Sequence, residues 1–267
     1  PKADKQPVVL DITAIFAQND EGLPCLDAVN LKVHAGEIVG IAGVSGNGQQ
    51  ELLAALSGED RRCAAGSLAL FGNDIARAGP SKRRTLGLHF VPEERLGRGA
   101  VPMASLAQNT LLTRRESVNA LGWIDVNATR ALAATLIERF KVKAGGPEAH
   151  AKSLSGGNLQ KFIVGREIDA RPKVLIVAQP TWGVDVGAAA QIRAELLALR
   201  DAGCAVLVVS EELDELFELS DRLVVIARGK LSPQVATRDA TVEQIGQWMA
   251  GLFDGSDNLG VDHHAAA

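Results

Sequence analysis

The sequence predicts an α/β fold with a mainly parallel sheet, an N-terminal antiparallel β subdomain and an inserted α-helical subdomain. The parallel sheet is predicted from continuous apolar runs, which are typical of strands covered by helices on both faces. The β subdomain is predicted from a strand-turn-strand pattern near the start of the chain. The helical subdomain is predicted from a long stretch of helical periodicity at about 96–152. The apolar runs are 37–42, 174–177 and 205–210.

Length, charge and composition limit which classes of protein this chain can belong to. The chain has 267 residues and a formal net charge of −4, which allows one large domain with an insertion and argues against a general nucleic-acid-binding protein. No apolar run approaches the roughly 20 residues that a membrane-spanning helix needs, and no signal peptide is predicted, so a membrane role would come through a partner. The cysteines are scattered and are predicted to be reduced packing residues.

The two ends of the chain are polar and are set apart from the fold. Residues 1–7 are predicted to be a linker remnant, and residues 255–267 a disordered tail. His263 and His264 are adjacent in that tail, so a metal site is the alternative to disorder there.

Residues 8–33 carry strand-like patterns on both sides of a turn at 21–24, which predicts an antiparallel hairpin. Phe16 lies on the first of these strands and is predicted to be a core residue. A short strand pair is predicted around 67–71, with a helix starting at 79–81.

Two helices outside the apolar runs carry further predictions. The helix after 79–81 has a basic run that is predicted to be a solvated face. In the helical stretch, Asn127 is predicted to cap a helix. The basic run is Lys82, Arg83 and Arg84, and the inner face of the capped helix is Leu132, Leu136 and Phe140.

A glycine-rich loop follows the first apolar run. The phosphate-binding template GxxxxGK[ST] uses glycines to form a nest of N–H groups, a lysine to reach the phosphates and a hydroxyl to bind Mg²⁺. Here Gln49 stands in place of the lysine and Gln50 in place of the hydroxyl residue. Losing a unit charge about 4 Å from a phosphate removes a few kcal/mol at an effective dielectric constant of about 20. We therefore expect weak nucleotide binding by Gly43, Ser45, Gly46, Asn47, Gly48, Gln49 and Gln50, and a strand-turn-helix without a ligand is the alternative.

The stretch 154–185 holds a second candidate site. It opens with the string LSGGN, and a helical pattern follows directly. A hydroxyl and glycine N–H groups at a helix start form an anion site, because the first N–H groups are unpaired and the helix dipole is positive there. Pro172 ends that helix, and the next apolar run leads to Ala178, Gln179 and Asp185, where phosphate chemistry is expected. The anion-site residues are Leu154, Ser155, Gly156, Gly157 and Asn158; the alternative is that Ser155 only caps its helix and Asp185 only forms a turn.

These motifs, in this order, resemble the nucleotide-binding domain of ABC transporters. The resemblance rests on the glycine-rich loop, VPEER at 91–95, LSGGN, PTWGVD at 180–185 and SEELDEL at 210–216, and it extends from about Val8 to about Leu252. It implies a P-loop NTPase-like core, a nucleotide-binding domain at 8–254 and a helical subdomain at about 96–152, with ATP and Mg²⁺ as cofactors.

The resemblance also identifies reactive positions at which this chain departs from the family. The family has a Mg²⁺-holding aspartate and a general-base glutamate where this chain has Ala178 and Gln179. An alanine cannot orient a metal's water shell, and a neutral amide cannot accept the water's proton. Glu93 replaces a glutamine that touches Mg²⁺, and Glu211 replaces a histidine that senses the γ-phosphate. We therefore expect no catalytic residue and no metal ligand in the chain's own site. In the family, an aromatic side chain in this region stacks on adenine. Phe16 is the only aromatic nearby, so adenine stacking is the alternative to its predicted core role.

The resemblance further implies partners. ABC domains pair head to tail, so LSGGN and Asp185 are expected to complete a partner's ATP site in trans, with ATP and Mg²⁺ bound mainly there. The chain resembles the C-terminal half of tandem ATP-binding proteins of bacterial sugar and nucleoside importers, and the strings at 46–49 and 178–180 favour the nucleoside type over the ribose type. The expected partners are a second ABC domain in the N-terminal half of the same polypeptide, permease subunits that dock beside the Glu93 loop, and indirectly a substrate-binding protein, with no nucleic acid. The expected location is cytoplasmic, peripheral on the inner face of the cell membrane.

Two other functions remain open from the sequence. A soluble ABC ATPase of translation or DNA repair would keep the lysine and glutamate that this chain lacks. A regulatory or scaffold ABC domain would bind no nucleotide at all. The chain resembles the transport ATPases, but this half alone is not expected to hydrolyse ATP.

Overall fold

The computed structural model describes residues 6–114 and 123–253. Most of the predicted linker remnant and all of the predicted tail lie outside the described residues. Within the described ranges, no helix combines the length and the apolarity needed to cross a membrane. In chain order the elements are β1 (Val8–Gln18), β2 (Pro24–His34), β3 (Ile38–Ala42), α1 (Gln49–Ser57), β4 (Leu68–Leu70), β5 (Asn73–Asp74), α2 (Pro80–Thr85), β6 (Leu88–Val91), α3 (Leu106–Leu111), α4 (Val126–Arg139), α5 (Gly156–Asp169), β7 (Val174–Ala178), α6 (Val186–Asp201), β8 (Ala205–Ser210), α7 (Leu213–Leu219), β9 (Arg222–Ala227), β10 (Lys230–Leu231), β11 (Val235–Ala236) and α8 (Val242–Met249).

The predicted α/β fold is confirmed by two sheets. The larger sheet has the strand order β10-β9-β3-β8-β7-β6, and its neighbours from β9 to β6 run parallel. The smaller sheet, in the order β2-β1-β4-β5, is antiparallel and contains the predicted hairpin. Because strands that run parallel end at the same edge, the turns after β3, β6, β7 and β8 come together there.

The two faces of the parallel sheet belong to two apolar cores. In β3, Val39 and Ile41 pack into the core shared with the antiparallel sheet and α1. Ile38 and Ala42 pack into the core under α5, α6 and α7. Both faces are buried, so the strand is apolar at every position rather than at alternate positions.

Phe16 is exposed, so its predicted core role is wrong. The pairing of β1 with β2 shifts register between Ile12 and Ile15, and Ala14 has a positive φ of 48°. The shift places both Ile12 and Ile15 in the core and turns Phe16 outward, with 60% of its surface exposed. A local bulge of this kind changes which face each later side chain occupies.

Arg83 is fully buried, so the prediction of a solvated basic face is wrong for this residue. Its Nη1 atom donates to the carbonyls of Ala55 and Leu56. These carbonyls belong to the last turn of α1, where no intrahelical N–H is available to them. Arg84 is also engaged, because its Nη1 lies 2.7 Å from Oε2 of Glu167. Arg83 therefore caps the C-terminal end of α1 from outside the helix.

Helix α4 begins two residues earlier than predicted. Its N-cap is Asp125, whose side chain accepts a hydrogen bond from the N–H of Ala128 at 2.9 Å. The prediction of Asn127 as the cap is therefore wrong, although Leu136 and Phe140 are buried as predicted. Asp and Asn are equally good caps, so residue preference alone does not distinguish Asp125 from Asn127.

Candidate functional site

The strand ends of the parallel sheet bring the predicted loop residues around one small cavity. The cavity has a volume of about 20 Å³, which is room for about one water molecule. It joins the glycine-rich loop after β3 to the ends of β7 and β8. Its lining includes Gly43, Ser45, Gly46, Gln49, Gln50, Glu93, Ala178, Gln179 and Glu211.

Gln49 folds its side chain back into the glycine-rich loop. Its Nε2 donates to the carbonyl of Val44 at 2.6 Å, and its Oε1 accepts from the N–H of Asn47 at 2.9 Å. A Cβ on Gly43 would lie 2.7 Å from the same Nε2. The amide is buried and fills the interior of the loop. A side chain held in this way does not extend toward a ligand outside the loop.

Glu211 places a carboxylate on the loop. Its Oε1 accepts a hydrogen bond from the N–H of Ser45 at 2.6 Å. Nests of backbone N–H groups are anion sites, and a carboxylate oxygen is the same kind of acceptor as a phosphate oxygen. The chain therefore supplies its own anion to this N–H group, and the added negative charge repels a phosphate.

The end of β7 offers no groups suited to a divalent metal. Ala178 has no ligand atom, and Oε1 of Gln179 already accepts from the hydroxyl of Ser210 and from the N–H of Glu211, each at 3.2 Å. Mg²⁺ prefers carboxylate oxygens and water in octahedral geometry. In the part of the chain that the structure describes, no group of three His, Cys, Asp or Glu residues could hold a metal ion. Ala178 and Gln179 therefore do not fit Mg²⁺ as ligands, and this strand end supplies no metal-dependent step.

The LSGGN turn has a different arrangement at the start of α5. Ser155 is the N-cap, and its Oγ accepts from the side-chain amide of Asn158 at 2.9 Å and from the N–H of Asn158 at 3.3 Å. The Oδ1 of Asn158 accepts from the N–H of Lys143 at 2.8 Å. Ser155 and Gly156 are exposed, whereas Gly157 and Leu154 are partly buried. The turn therefore presents a hydroxyl and glycine backbone on the surface.

Asp185 lies beside this turn and caps α6. Its Oδ1 accepts from the N–H of Ala188 at 2.9 Å. That hydrogen bond holds the pKa of Asp185 below its usual value, against a small opposing effect of burial. A Cβ on Gly157 would lie 3.8 Å from Oδ2 of Asp185, so the two predicted trans-acting elements share one surface.

A basic groove of about 620 Å³ adjoins the LSGGN turn. Lys161 is one of the basic residues that line this groove. Its Nζ donates to the carbonyl of Lys141, another lining residue, at 2.6 Å. Burial lowers the pKa of Lys161, and the charge of Asp185 opposes that shift. The groove is lined by Arg139, Lys141, Lys143, Asn158, Lys161, Asp185, Gly187, Ala188, Gln191 and Glu195.

Three residues that the sequence did not single out connect the loops around the site. Glu215 accepts from the hydroxyls of Thr181, at 2.5 Å, and Ser210, at 3.0 Å. Burial raises the pKa of Glu215, and these hydrogen bonds partly offset the rise. Arg95 and Gln160 join the loop after β6 to α5 and to the turn after β7. Gln160 and Glu215 are polar residues inside apolar helical patterns, which is a sequence signal for burial, but such a signal does not identify the hydrogen-bond partners.

Comparison with protein families places residues 26–182 in the sequence model described as ABC transporter. The guanosine import ATP-binding protein NupO of Bacillus subtilis (strain 168) is 40% identical over 245 residues, which cover 91% of this chain and 48% of that protein. The nucleoside import ATP-binding protein NupA of Lactococcus lactis subsp. cremoris (strain MG1363) is 41% identical over 254 residues, covering 94% of this chain and 50% of that protein. This chain thus spans about half the length of the curated relatives that it matches.

Solved structures agree with the fold. The ATP-binding subunit of an ABC transporter superimposes with a TM-score of 0.73 at 18% identity, covering 91% of this chain and 99% of that chain. A nucleotide-free ATP-binding cassette from an ABC transporter gives a TM-score of 0.71 at 22% identity, covering 91% of this chain and 96% of that chain. At these identities the likeness concerns the fold alone.

Proposed function

The chain belongs to the ABC transporter family as an ATP-binding domain, and from that premise we propose that it completes the ATP site of a partner domain in a sugar or nucleoside importer. The observation that carries the proposal is the contrast between its two glycine turns. The glycine-rich loop is filled by Gln49 and bonded to Glu211, whereas the LSGGN turn is open to the surface. A domain of this design contributes Ser155, Gly156 and Gly157 to nucleotide held by another domain.

The partner domain is proposed to be a second ABC domain that carries competent phosphate-binding residues. The chain spans about half of its curated relatives, which leaves room in such proteins for a second domain of similar size. In the head-to-tail pairing of the family, Asp185 crosses between the domains and LSGGN closes on the partner's phosphates. ATP and Mg²⁺ would then be bound mainly at the partner's composite site, and hydrolysis would occur there.

The transported substrate is proposed to be a nucleoside or a sugar. Relatives of similar identity are named for guanosine, nucleoside, glucose and ribose import. The choice between these substrates belongs to permease and substrate-binding subunits, with which the full protein would act on the cytoplasmic face of the membrane.

A groove beside the loop that follows Glu93 is proposed as the permease contact. It has a volume of about 860 Å³ and is lined by charged residues of both signs, among them Glu59 and Arg98, which pair at 2.6 Å. Leu96 and Met103 lie on either side of Arg98 in sequence and expose 47% and 60% of their surface. A polar groove with apolar side chains nearby suits an amphipathic helix from a partner.

The second candidate function is a regulatory or scaffold domain that binds no nucleotide in any assembly. The filled glycine-rich loop favours it as much as it favours the first proposal. The two differ at the LSGGN turn, because a scaffold domain has no use for an open anion site. Substitution of Ser155 in the assembled protein separates the two functions.

The first test is a calorimetric titration of Mg-ATP into the isolated chain, with hydrolysis assayed on the same sample. We expect weak or no binding and no turnover, because Gln49 and Glu211 occupy the loop and the end of β7 lacks a metal ligand and a base. Tight binding with steady turnover would overturn the assignment of the open and filled turns. Mg-ADP serves as the control ligand for binding without hydrolysis.

A further inference from the structure

Arg95 lies between three segments that are far apart in sequence. It ends the VPEER string, and its own carbonyl is held by the N–H of Ala100 at 2.7 Å. Its Nε donates to Oε1 of Gln160 in α5 at 3.1 Å, and its Nη2 donates to the carbonyl of Trp182 in the turn after β7. A Cβ on Gly156 would lie 3.0 Å from its Nη1, so the guanidinium also packs against the LSGGN turn.

Gln160 completes a ring of hydrogen bonds with Arg95. Its side chain is 1% exposed, and its Nε2 donates to the carbonyl of Pro180 at 2.9 Å. The same amide therefore accepts from Arg95 and donates to the turn that Arg95 contacts at Trp182. We name the set of Arg95, Gln160 and the carbonyls of Pro180 and Trp182 the Arg95 ring.

The charge of Arg95 is satisfied by neutral oxygens rather than by a carboxylate. Across residues 6–114 and 123–253, no Asp or Glu forms an ion pair with it. Hydrogen bonds from a cation to a carbonyl are stronger and more directional than neutral ones, and the planar guanidinium fixes several acceptors at once. Displacing the loop that carries Arg95 therefore disturbs both the start of α5 and the turn at 180–185.

We propose that Arg95 is a positioning residue that makes the LSGGN turn and the 180–185 turn move as one unit with the loop that carries Glu93. The inference rests on the proposed function, because the LSGGN turn matters only if it meets a partner's nucleotide. In that setting Arg95 relays a displacement near the Glu93 loop to both surfaces that face the partner.

The structural half of the inference is tested by amide hydrogen exchange on the isolated chain. In Arg95→Gln, amides at 156–160 and 182–189 should exchange faster by about tenfold or more, because both segments lose a charge-assisted hydrogen bond. The hairpin of β1 and β2 should exchange at the unchanged rate. Arg130→Gln is the matched control, since Arg130 pairs with Glu148 on the surface and bonds to neither segment.

Two further variants keep the test decisive if Arg95→Gln does not fold. In Arg95→Lys one nitrogen replaces the separate Nε and Nη2 donors to Gln160 and Trp182, so at least one segment should still exchange faster. Gln160→Met should accelerate exchange in the same two segments and add nothing further when combined with Arg95→Gln. Unchanged exchange in both segments, or fully additive effects, would overturn the proposal.

The functional half is tested in the assembly with an ATP-competent partner domain. Arg95→Gln should lower ATP turnover, and Arg130→Gln should not. If Ser155→Ala lowers turnover while Arg95→Gln leaves it unchanged, the positioning role is wrong. If neither variant lowers turnover, the proposed function itself fails, while the exchange result still decides whether Arg95 fixes the two turns.

Discussion

The loop before α1 and the start of α5 both place glycines at a helix N-terminus, yet different side chains surround them. Helix α1 begins after Gly48, which has a left-handed backbone and no side-chain cap, whereas α5 is capped by Ser155. Before α1, Gln49 crosses the loop and Glu211 bonds to the N–H of Ser45. Before α5, Ser155 and Asn158 bond to each other and leave Gly156 exposed and Gly157 partly exposed. The side chains around each glycine segment therefore decide which part of its backbone stays open to solvent.

The two helices also differ in how their C-terminal ends are held. Helix α1 is held by Arg83, which donates to neutral carbonyls of its last turn. Helix α5 is held by a buried ion network around Glu167, whose Oε2 lies 2.7 Å from both Arg84 and His89. The helix that begins at the open turn is therefore held by the more strongly ionic contacts.

Glu167→Gln should cause the largest loss of stability. Removing this carboxylate leaves Arg166, which is 2% exposed, without its ion partner. An uncompensated buried charge of this kind costs about 3–5 kcal/mol of unfolding free energy. Urea denaturation measures the loss, with the exposed Glu148→Gln as the control, and a loss below about 1 kcal/mol would show that the network does not anchor α5.

The same network should make the free energy of unfolding depend on pH. Burial opposes ionisation of Glu167, but the hydrogen bond from His89 and the charges of Arg166 and Arg84 outweigh it and lower the pKa of Glu167 to about 2. A lowered carboxyl pKa contributes stability that is present above the unfolded value of 4.5 and is lost as pH falls toward about 2. Urea midpoints measured between pH 7 and pH 3 should fall less for Glu167→Gln than for the unchanged chain.

Gly43→Ala should destabilise the chain, whereas Gly157→Ala should not. A Cβ at Gly43 would lie 2.7 Å from both Gln49 and Ile226, in a buried site. Overpacking of this kind costs about 1–3 kcal/mol. A Cβ at Gly157 would meet nothing closer than 3.7 Å. Equal losses of thermal stability in the two variants would contradict the contrast between a filled and an open turn.

Restoring the template residues in the glycine-rich loop should produce the smallest effect, a modest gain in nucleotide affinity. Gln49→Lys with Gln50→Ser restores the template residues, and Glu211→Gln removes the carboxylate from the N–H of Ser45. We expect the triple variant to bind Mg-ADP about tenfold more tightly than the unchanged chain, since one charge-assisted contact to phosphate is worth about 1.5–3 kcal/mol. Glu212→Gln replaces Glu211→Gln in the control, and equal affinity of the two triple variants would show that Glu211 does not compete with phosphate.

Local patterns predicted the fold but not the contacts between distant segments. The apolar runs at β3, β7 and β8 and the helix end before Pro172 follow from short-range rules, and the structure agrees with them. Short-range rules predicted the burial of Phe16 and Arg83 wrongly. A bulge in β1 exposes Phe16, and carbonyls at the end of α1 bind the buried Arg83. The sequence alone shows the departures from the phosphate-binding template. The hydrogen bond from Ser45 to Glu211 joins residues 166 positions apart, so it could be identified only from the structure.

The measurement that tests the account most directly is ATP turnover by this chain assembled with an ATP-competent ABC domain, comparing Ser155→Ala with Glu211→Gln. The account predicts that Ser155→Ala lowers turnover about tenfold or more, because one hydrogen bond to a phosphate is lost at the partner's site. It predicts that Glu211→Gln leaves turnover unchanged, because the chain's own loop takes no part. Loss of turnover in Glu211→Gln, with full turnover in Ser155→Ala, would contradict it.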